Sequence, residues 1–221
     1  MRTVYHLPLS PFSRKVRLVL GEKKLAFELR VEDVWRRREE FLILNPTGQV
    51  PVLIDDGLVV ADSTAIFEYL EDAYPTPTLI GETPTARAEA RRLAFWFDLK
   101  FAREVTSNIV YEKMMKRLLG GGEPDSERIR VGKDNIRYHL EYIEFLTERR
   151  NWLAGDNLTC ADLAAGAHLS VIDYLGDVPW DEHVEAKNWY ARLKSRPSFQ
   201  PLLTDHVAGV LPPKTYADLD F

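Results

Sequence analysis

The chain has 221 residues, of which 29 are Lys or Arg and 34 are Asp or Glu, so its formal net charge is −5. A protein that binds nucleic acid through its phosphates needs a basic face, and this balance argues against that class. Hydrophobic residues make up 45% and aromatic residues 11%, which is ordinary for a globular protein of one large or two small domains and argues against fibrous or long disordered architectures.

The first third of the chain alternates strand-like and helix-like patterns. These patterns predict strands at residues 3–7, 26–31, 52–54 and 58–60, and helices at residues 14–20, 36–44 and 63–73. The Asp56-Gly57 step is a strong hairpin signal between the last two strands, and Asp62 is placed to cap the helix after them. The order β-α-β-α-β-β-α over residues 1–78 predicts a small α/β layer with a mixed sheet.

Pro75 and Pro77 end that unit, and helical periodicity follows it. Helices are predicted at residues 86–119, 125–150, 160 onward, 182–195 and shortly after 197. Thr159 and Asp162 form a capping-box pattern before an alanine-rich helix. We therefore predict an all-helical second domain over residues 84–209 and a C-terminal extension over residues 210–221.

Hydropathy and cysteine usage narrow the class of protein further. No apolar run approaches the roughly 18 to 20 residues that a membrane span requires, and the first residues lack the apolar core of a secretion signal. The single cysteine, Cys160, can form no internal disulfide and, without clustered histidines, no structural zinc site. We expect a cytoplasmic protein with no membrane span and no metal site.

The junction between the first strand and the first helix carries a candidate catalytic hydroxyl, Ser10. At the start of a helix this hydroxyl would lie beside the positive end of the helix dipole and open backbone N–H groups, where it can stabilise an anion such as a thiolate. The local pattern equally fits a simple helix cap at Ser10 or Ser13, a role that needs no chemistry.

Two further motifs suit a small polar ligand. The Val50–Pro51 step follows a turn and precedes an apolar strand, a context that invites a cis peptide, although a trans proline at a strand start is the alternative. Asp62 and Ser63 offer a carboxylate, a hydroxyl and open amides at a helix start, which suits both charged ends of an amino-acid-like ligand. Taken alone, this pair is a plain helix cap.

Together these sites resemble, in order and spacing, the N-terminal thioredoxin-like domain of the glutathione transferase superfamily. The residues that carry the resemblance are Ser10-Pro11-Phe12, residues 45–53 and residues 62–66. It continues into the helical region, where Thr159–Asp162 is similar to the capping box of that family and residues 189–197 are similar to a late helix. The resemblance implies the transferase fold: a thioredoxin-like α/β domain followed by an all-α bundle.

The resemblance also implies a glutathione site and no required cofactor, with glutathione as a possible co-substrate. Ser10 would take the catalytic position, and Val50, in the Val50–Pro51 step, would pair with the cysteinyl part of glutathione. Asp62 and Ser63 would hold its γ-glutamyl end. The implied reaction is conjugation of glutathione to a small electrophile, because disulfide exchange would need a thiolate in place of the serine.

The C-terminal extension departs from the helical pattern. Pro212 and Pro213 oppose a helix start, and the final residues mix aromatic, acidic and aliphatic side chains as a docking peptide does. The candidate partner-binding residues in this extension are Tyr216, Asp218, Leu219, Asp220 and Phe221. The alternative is an extension that packs on its own domain or frays.

A narrower resemblance concerns this ending, the two prolines and Trp35. They resemble a transferase-like branch of the superfamily that acts in bacterial cell division and binds filaments of FtsZ. The resemblance implies a non-catalytic homodimer that uses the fold as a scaffold and regulates constriction at the division site. Trp35 matches a functional tryptophan of that branch, and Trp and Arg side chains often anchor interfaces. An indole beside three arginines fits the edge of a core equally well.

Two hypotheses therefore stand: a non-catalytic homodimer that binds FtsZ filaments, and a glutathione S-transferase. The two can coexist. The homodimer is favoured by residues 93–101 of the predicted long helix, which are richer in apolar and aromatic side chains than one buried face requires.

Overall fold

A mixed four-stranded sheet forms the N-terminal layer of the computed structural model, which describes residues 1–219. The strands are β1 (Arg2–His6), β2 (Phe27–Val31), β3 (Val52–Asp55) and β4 (Leu58–Ala61). Their order in the sheet is β2-β1-β3-β4, with β2 parallel to β1 and the other neighbouring pairs antiparallel. The helices of this layer are α1 (Pro11–Glu22), α2 (Glu39–Leu44) and α3 (Ser63–Ala73). Two candidate partner-binding residues, Asp220 and Phe221, lie outside the described residues.

The regular elements of the rest of the described chain are helical. The α-helices are α4 (Pro84–Phe95), α5 (Ser107–Val110), α6 (Lys116–Leu118), α7 (Ser126–Thr147), α8 (Cys160–Tyr174), α9 (Val184–Lys194) and α10 (Gln200–Leu203). Two π-helical segments, Trp96–Thr106 and Tyr111–Met115, join α4, α5 and α6 without a break. The predicted architecture, a thioredoxin-like layer followed by a helical bundle, is confirmed.

Helix α8 lies at the centre of the molecule, and all of its residues are buried. The predicted capping box is present at its start, where Thr159 and Asp162 bond reciprocally to each other's backbone. Small side chains let neighbours approach closely: a Cβ at Gly166 would lie 2.1 Å from Leu193 Cδ2. On the other side, α1 packs against α8 and thereby joins the two regions of the chain.

Two notable differences between the predicted elements and the structure are at the start of α2 and inside the long helix. The helix predicted from residue 36 begins at Glu39, because Val34–Arg36 form a 3₁₀ turn and Arg37 adopts a left-handed conformation with φ of 46°. The helix predicted over residues 86–119 has the expected length but contains the two π-helical segments. Such segments often occur where a helix lines a functional site.

Candidate functional site

Ser10 caps α1 and also lines a cavity. Its Oγ accepts a hydrogen bond from the Ser13 N–H at 3.2 Å, while its carbonyl accepts from the Arg14 N–H at 2.9 Å. Since Oγ acts here as an acceptor, its own proton remains available to a ligand. Pro11 has no N–H, so within residues 1–219 the first turn of α1 offers a ligand the Phe12 N–H and the Ser10 hydroxyl. The cap at Ser10 is confirmed, and it leaves the hydroxyl proton free, so the catalytic role stays a prediction.

The glutathione candidates from the sequence lie around one cavity. The Val50–Pro51 peptide bond is cis, as predicted. Asp62 has a φ of 76°, and its Oδ1 accepts from the Thr64 and Ala65 N–H groups at 2.7 and 3.2 Å. Oδ1 therefore caps the helix, and Asp62 Oδ2 remains available to a ligand. The cavity has a volume of about 470 Å³ and is lined by Phe12, Asn45, Thr47, Gln49, Val50, Pro51, Ala61, Asp62 and Ser63.

The charge of this cavity suits one end of glutathione better than the other. Among its described lining residues the one charged side chain is the carboxylate of Asp62. This carboxylate matches the ammonium of a γ-glutamyl group, and the N-terminus of α3 at Ser63 matches the carboxylate beside it. Glutathione carries a second carboxylate on its glycine, and the lining offers that group neutral partners only.

A second, larger cavity of about 560 Å³ adjoins the first and shares Phe12, Gln49 and Val50 with it. Ser10 and Trp35 both line it. The remaining lining residues are Leu7, Pro8, Leu9, Pro11, Val31, Asp33, Val34, Thr106, Ser107, Val110, Tyr111, Met114, Met115, Leu118, His206, Val207 and Ala208. Most of these side chains are apolar, so this cavity suits an apolar occupant.

One candidate partner-binding residue, Trp35, lines the larger cavity together with the residues that precede the extension. Trp35 is half-buried on the 3₁₀ turn Val34–Arg36, and residues 206–208 line the same cavity just before the extension begins. Sequence reasoning identified Trp35 and the extension separately but missed residues 206–208 and the wall that Tyr111–Met115 contribute. The apolar excess predicted for the long helix lies at residues 93–101, outside this wall, and gave no signal for it.

The structure corrects the expectation for Tyr216. Its side chain is 1% exposed, its Oη accepts from Arg14 Nη1 at 3.1 Å, and it donates to the Leu202 carbonyl at 3.1 Å. Because the ring and its hydroxyl are used inside the molecule, Tyr216 anchors the extension and does not face a partner. The alternative of an extension that packs on its own domain is therefore correct for this residue.

The neighbours of Tyr216 face outward to different degrees. Asp218 is exposed and Leu219 is half-buried. Leu211, which was not among the sequence candidates, is 89% exposed. An isolated exposed leucine is common, but this one stands in the segment that the sequence predicts to bind a partner.

Cys160 is buried at the start of α8 and is 3% exposed. Burial raises the pKa of its thiol, so the thiolate that reacts with disulfides and electrophiles is not formed near neutral pH. No group of three or more metal-ligating side chains lies close together within residues 1–219. Over the same residues, no helix combines the length and the apolar character needed to cross a membrane.

Comparisons with known proteins match the fold and the motifs. The family model for the N-terminal domain of glutathione S-transferase matches residues 4–78, and the model for the C-terminal domain matches residues 113–197. FtsZ-localized protein A of Caulobacter vibrioides is 51% identical over 225 aligned residues, which cover 100% of this chain and 98% of that protein.

Two solved structures resemble this one over their whole length. A glutathione S-transferase from Rhodospirillum rubrum F11 is 56% identical, with a TM-score of 0.98 and complete coverage of both chains. FzlA from C. crescentus is 50% identical, with a TM-score of 0.96 over 100% of this chain and 99% of that one. The site motifs, the two-layer architecture and these full-length matches lead to one conclusion: this chain belongs to the glutathione S-transferase superfamily.

Proposed function

We propose that this protein is a transferase-like homodimer without a catalytic role that binds FtsZ filaments and regulates constriction in the cytoplasm at the division site. The observation that carries the proposal is that Trp35 and residues 206–208, which lead into the C-terminal extension, line one cavity. Full-length similarity to proteins named FtsZ-localized protein A and FzlA supports the identity of the partner.

The extension has the properties of a docking element that is formed before the partner arrives. The Val210 carbonyl accepts a hydrogen bond from the Tyr174 hydroxyl at 2.8 Å, and Tyr216 is buried further along. Leu211 stands between these two anchors with 89% of its side chain exposed. Holding an apolar side chain outward on a fixed backbone lowers the entropy cost of binding a partner.

The charge of the smaller cavity supports a non-catalytic role. Glutathione is a net anion, and the described lining of that cavity supplies the carboxylate of Asp62 and no cation. A transferase must bind glutathione and favour its thiolate, which adds a further negative charge. Since the described lining holds no cation, the anion has hydroxyl, amide and helix-terminus partners only, which stabilise a thiolate less than a positive side chain does.

An apolar band on the helical region supports the homodimer. Its members are Phe95, Trp96, Leu99, Tyr138, Tyr142 and Phe145. Four of them, Phe95, Leu99, Tyr138 and Phe145, are between 45% and 66% exposed. The Trp96 ring lies 4.6 Å from that of Tyr142, which stacks on Phe145 at 6.4 Å. Exposed apolar groups that continue across two helices are typical of a surface covered by another protein, and a second copy is the commonest such partner.

The proposal is tested by co-sedimentation with polymerised FtsZ. We expect Leu211→Glu and Trp35→Ala each to weaken co-sedimentation by about tenfold or more, because central apolar contacts supply much of the binding free energy. Val184→Glu is the matched control, since Val184 is 57% exposed and lies on α9, outside the proposed contacts. Deletion of residues 211–221 should abolish binding, but it also removes the buried Tyr216, so the point variants are the sharper test.

Equal co-sedimentation of the parent, Leu211→Glu and Trp35→Ala would contradict the proposed contacts. A parent protein that does not co-sediment at all would contradict the proposed function. Circular dichroism and thermal unfolding of each variant establish that a loss of binding does not reflect a loss of fold.

A second function, conjugation of glutathione to a small electrophile, is favoured by the lining of the smaller cavity, which joins Val50, Pro51, Asp62 and Ser63 and adjoins Ser10. Calorimetry with glutathione tests binding first. If the activity exists, Ser10→Ala should lower conjugation of 1-chloro-2,4-dinitrobenzene by roughly 10²-fold, the loss expected for one aligned donor. Ser10→Thr keeps a hydroxyl and serves as the control. No heat of binding, or an Ser10→Ala variant as active as the parent, would exclude this mechanism.

A further inference from the structure

Arg14 is a buried guanidinium that connects three parts of the chain. Its side chain is 0% exposed. Nε donates to the Pro8 carbonyl at 2.7 Å, and Nη1 donates to Ser170 Oγ at 2.8 Å and to Tyr216 Oη at 3.1 Å. Nη2 donates to Asp205 Oδ2 at 3.2 Å. A guanidinium stays protonated in a protein, so each of these acceptors must remain in place or leave a buried donor unsatisfied.

One of the four acceptors lines the larger cavity, and a second lies next to residues that line it. Pro8 lines it directly, and Asp205 stands immediately before His206 and the two residues after it, which line it too. Arg17 holds the same Asp205, because its Nη1 and Nη2 donate to both carboxylate oxygens at 2.8 and 3.0 Å. A third acceptor, Tyr216, belongs to the C-terminal extension. The guanidinium thus contacts the cavity wall on one side and the extension on the other.

The hydroxyl of Tyr174 also connects the cavity wall to the extension. Tyr174 donates to the Val210 carbonyl at 2.8 Å and accepts from the Val207 N–H at 3.1 Å. Its ring meets the ring of Tyr216 edge to face, with centroids 5.1 Å apart. Residue 207 lines the cavity and residue 210 begins the extension, so a displacement of one segment must disturb the contacts of the other.

We propose that Arg14 is a positioning residue that couples occupation of the larger cavity to the placement of the C-terminal extension, so that an apolar ligand there regulates partner binding. The identity of the partner depends on the proposed function, whereas the coupling between the cavity and the extension does not. A ligand that packs against residues 206–208 favours the arrangement in which Asp205 and Tyr216 keep their bonds to Arg14 and Val207 keeps its bond to Tyr174. By linkage, holding the extension in place must then strengthen ligand binding by the same factor.

The lining defines the chemical class of the ligand. The cavity measures about 560 Å³ and presents Phe12, Trp35, Met114 and Met115 together. Methionine side chains adapt to irregular apolar shapes, and aromatic faces favour flat rings. The lining also contains Asp33, but its carboxylate is paired with Arg36 at 2.9 Å. The expected ligand is therefore a small, flat, apolar molecule without a full charge.

The test uses the neutral aromatic amine N-phenyl-1-naphthylamine as the probe and the Tyr216→Phe variant. This variant keeps the ring packing of Tyr216 but removes the hydroxyl that Arg14 binds. In the parent we expect saturating probe to slow hydrogen–deuterium exchange of residues 205–217 by about fivefold or more, the usual lower range of coupling between sites. In Tyr216→Phe we expect faster exchange in this segment and probe binding weakened by about the same factor.

A matched variant separates coupling from a general loss of stability. Tyr69→Phe also removes one tyrosine hydroxyl bond, the 3.1 Å contact from Tyr69 to Asp55 Oδ2 in the sheet region, and should leave probe affinity and exchange of residues 205–217 unchanged. The coupling is overturned if Tyr216→Phe binds the probe as the parent does. It is also overturned if the probe fails to slow exchange in this segment, or if the parent does not bind the probe.

Co-sedimentation with FtsZ, with and without saturating probe, distinguishes the coupling from the proposed function. A change of about twofold or more on adding the probe supports regulation of partner binding. Co-sedimentation that the probe leaves unchanged overturns that regulation. If the parent does not co-sediment under any condition, the proposed function fails, and the exchange experiment still decides whether the cavity and the extension are coupled.

Discussion

At the scale of single residues, three buried histidines, His6, His139 and His168, have lowered pKa values. His6 is 3% exposed, and burial, assisted by the charge of Arg17, lowers its pKa to about 4. His139 is 0% exposed, and burial lowers its pKa to about 4 as well. The Trp96 Nε1–H donates to His139 Nδ1 at 3.0 Å, so the ring proton resides on Nε2, which faces Glu104 Oε2 at 3.2 Å. All three rings are therefore neutral in the folded protein near neutral pH.

These histidines predict a loss of stability on acidification. Both the folded and the unfolded protein hold the rings neutral above about pH 6.5, the ordinary value for histidine. As the pH falls from there toward about 4, the unfolded chain binds protons that the folded protein does not, so stability is lost over this window. The loss is on the order of 3 kcal/mol for each of His6 and His139, measurable as the free energy of urea unfolding between about pH 7 and pH 4.5.

Two variants check the origin of this pH dependence. His139→Gln removes one of the three groups and should reduce the slope of unfolding free energy against pH by about a third. Val184→Gln changes an exposed residue that binds no proton and should leave the slope unchanged. An unfolding free energy that stays constant from about pH 7 to pH 4.5 would show that these rings are not held neutral by the fold.

At the scale of elements, one carboxylate determines how the central helix begins. Asp162 is 0% exposed and accepts hydrogen bonds from the Leu153 N–H at 2.8 Å, the Thr159 N–H at 3.0 Å and Trp189 Nε1 at 3.0 Å. These donors belong to the preceding loop, to the cap of α8 and to α9. Asp162 therefore joins three segments, which a cap at the surface does not do.

Removal of this carboxylate should be much more costly than removal of an exposed cap. We expect Asp162→Ala to lower the free energy of unfolding by about 3 kcal/mol or more, because several buried donors lose their acceptor. Asp125→Ala removes the exposed cap of α7, whose Oδ1 accepts from two N–H groups, and should cost about 1 kcal/mol. Urea unfolding compares the two variants, and equal losses would contradict the role assigned to Asp162.

Local sequence patterns correctly predicted the structural features that depend on neighbouring residues. The hairpin at Asp56-Gly57 and the capping box of α8 each depend on residues within a few positions of one another, and both are present. The start of α2 is different, because Arg37 adopts positive φ beside Arg38, whose Nε donates to Glu32 Oε1 at 3.2 Å. Similarly, the π-helical segments depend on how the long helix packs. Such tertiary contacts leave no periodic signal in the sequence.

At the scale of the whole molecule, the apolar band predicts self-association. Leu99 is 66% exposed and Phe145 is 57% exposed. We expect the parent to be a dimer by light scattering at roughly micromolar concentration, and the double variant Leu99→Lys with Phe145→Lys to be a monomer, since burying charges at an interface is unfavourable. Val184→Glu is the surface control and should remain dimeric. A monomeric parent would contradict the homodimer.

The sequence predicted only the part of the candidate site that lies within a single domain. Val50, Asp62 and Ser63 are joined by short connections within the α/β layer, so family-like spacing predicts that they share a cavity. By contrast, Trp35 and residues 206–208 meet because α1 packs against α8 and carries one domain onto the other. Composition predicted that the extension carries an aromatic side chain, but the inward direction of Tyr216 depends on the buried Arg14 that receives it.

The buried position of Cys160 has a practical consequence for spectroscopy. Maleimide and iodoacetamide reagents require an accessible thiolate, and the single cysteine of this chain is 3% exposed with a raised thiol pKa. The folded protein therefore does not react with these reagents, and its native cysteine need not be replaced first. A Leu211→Cys variant would carry one reactive thiol at a position that is now 89% exposed. A single dye attached there would report the surroundings of the extension by fluorescence anisotropy.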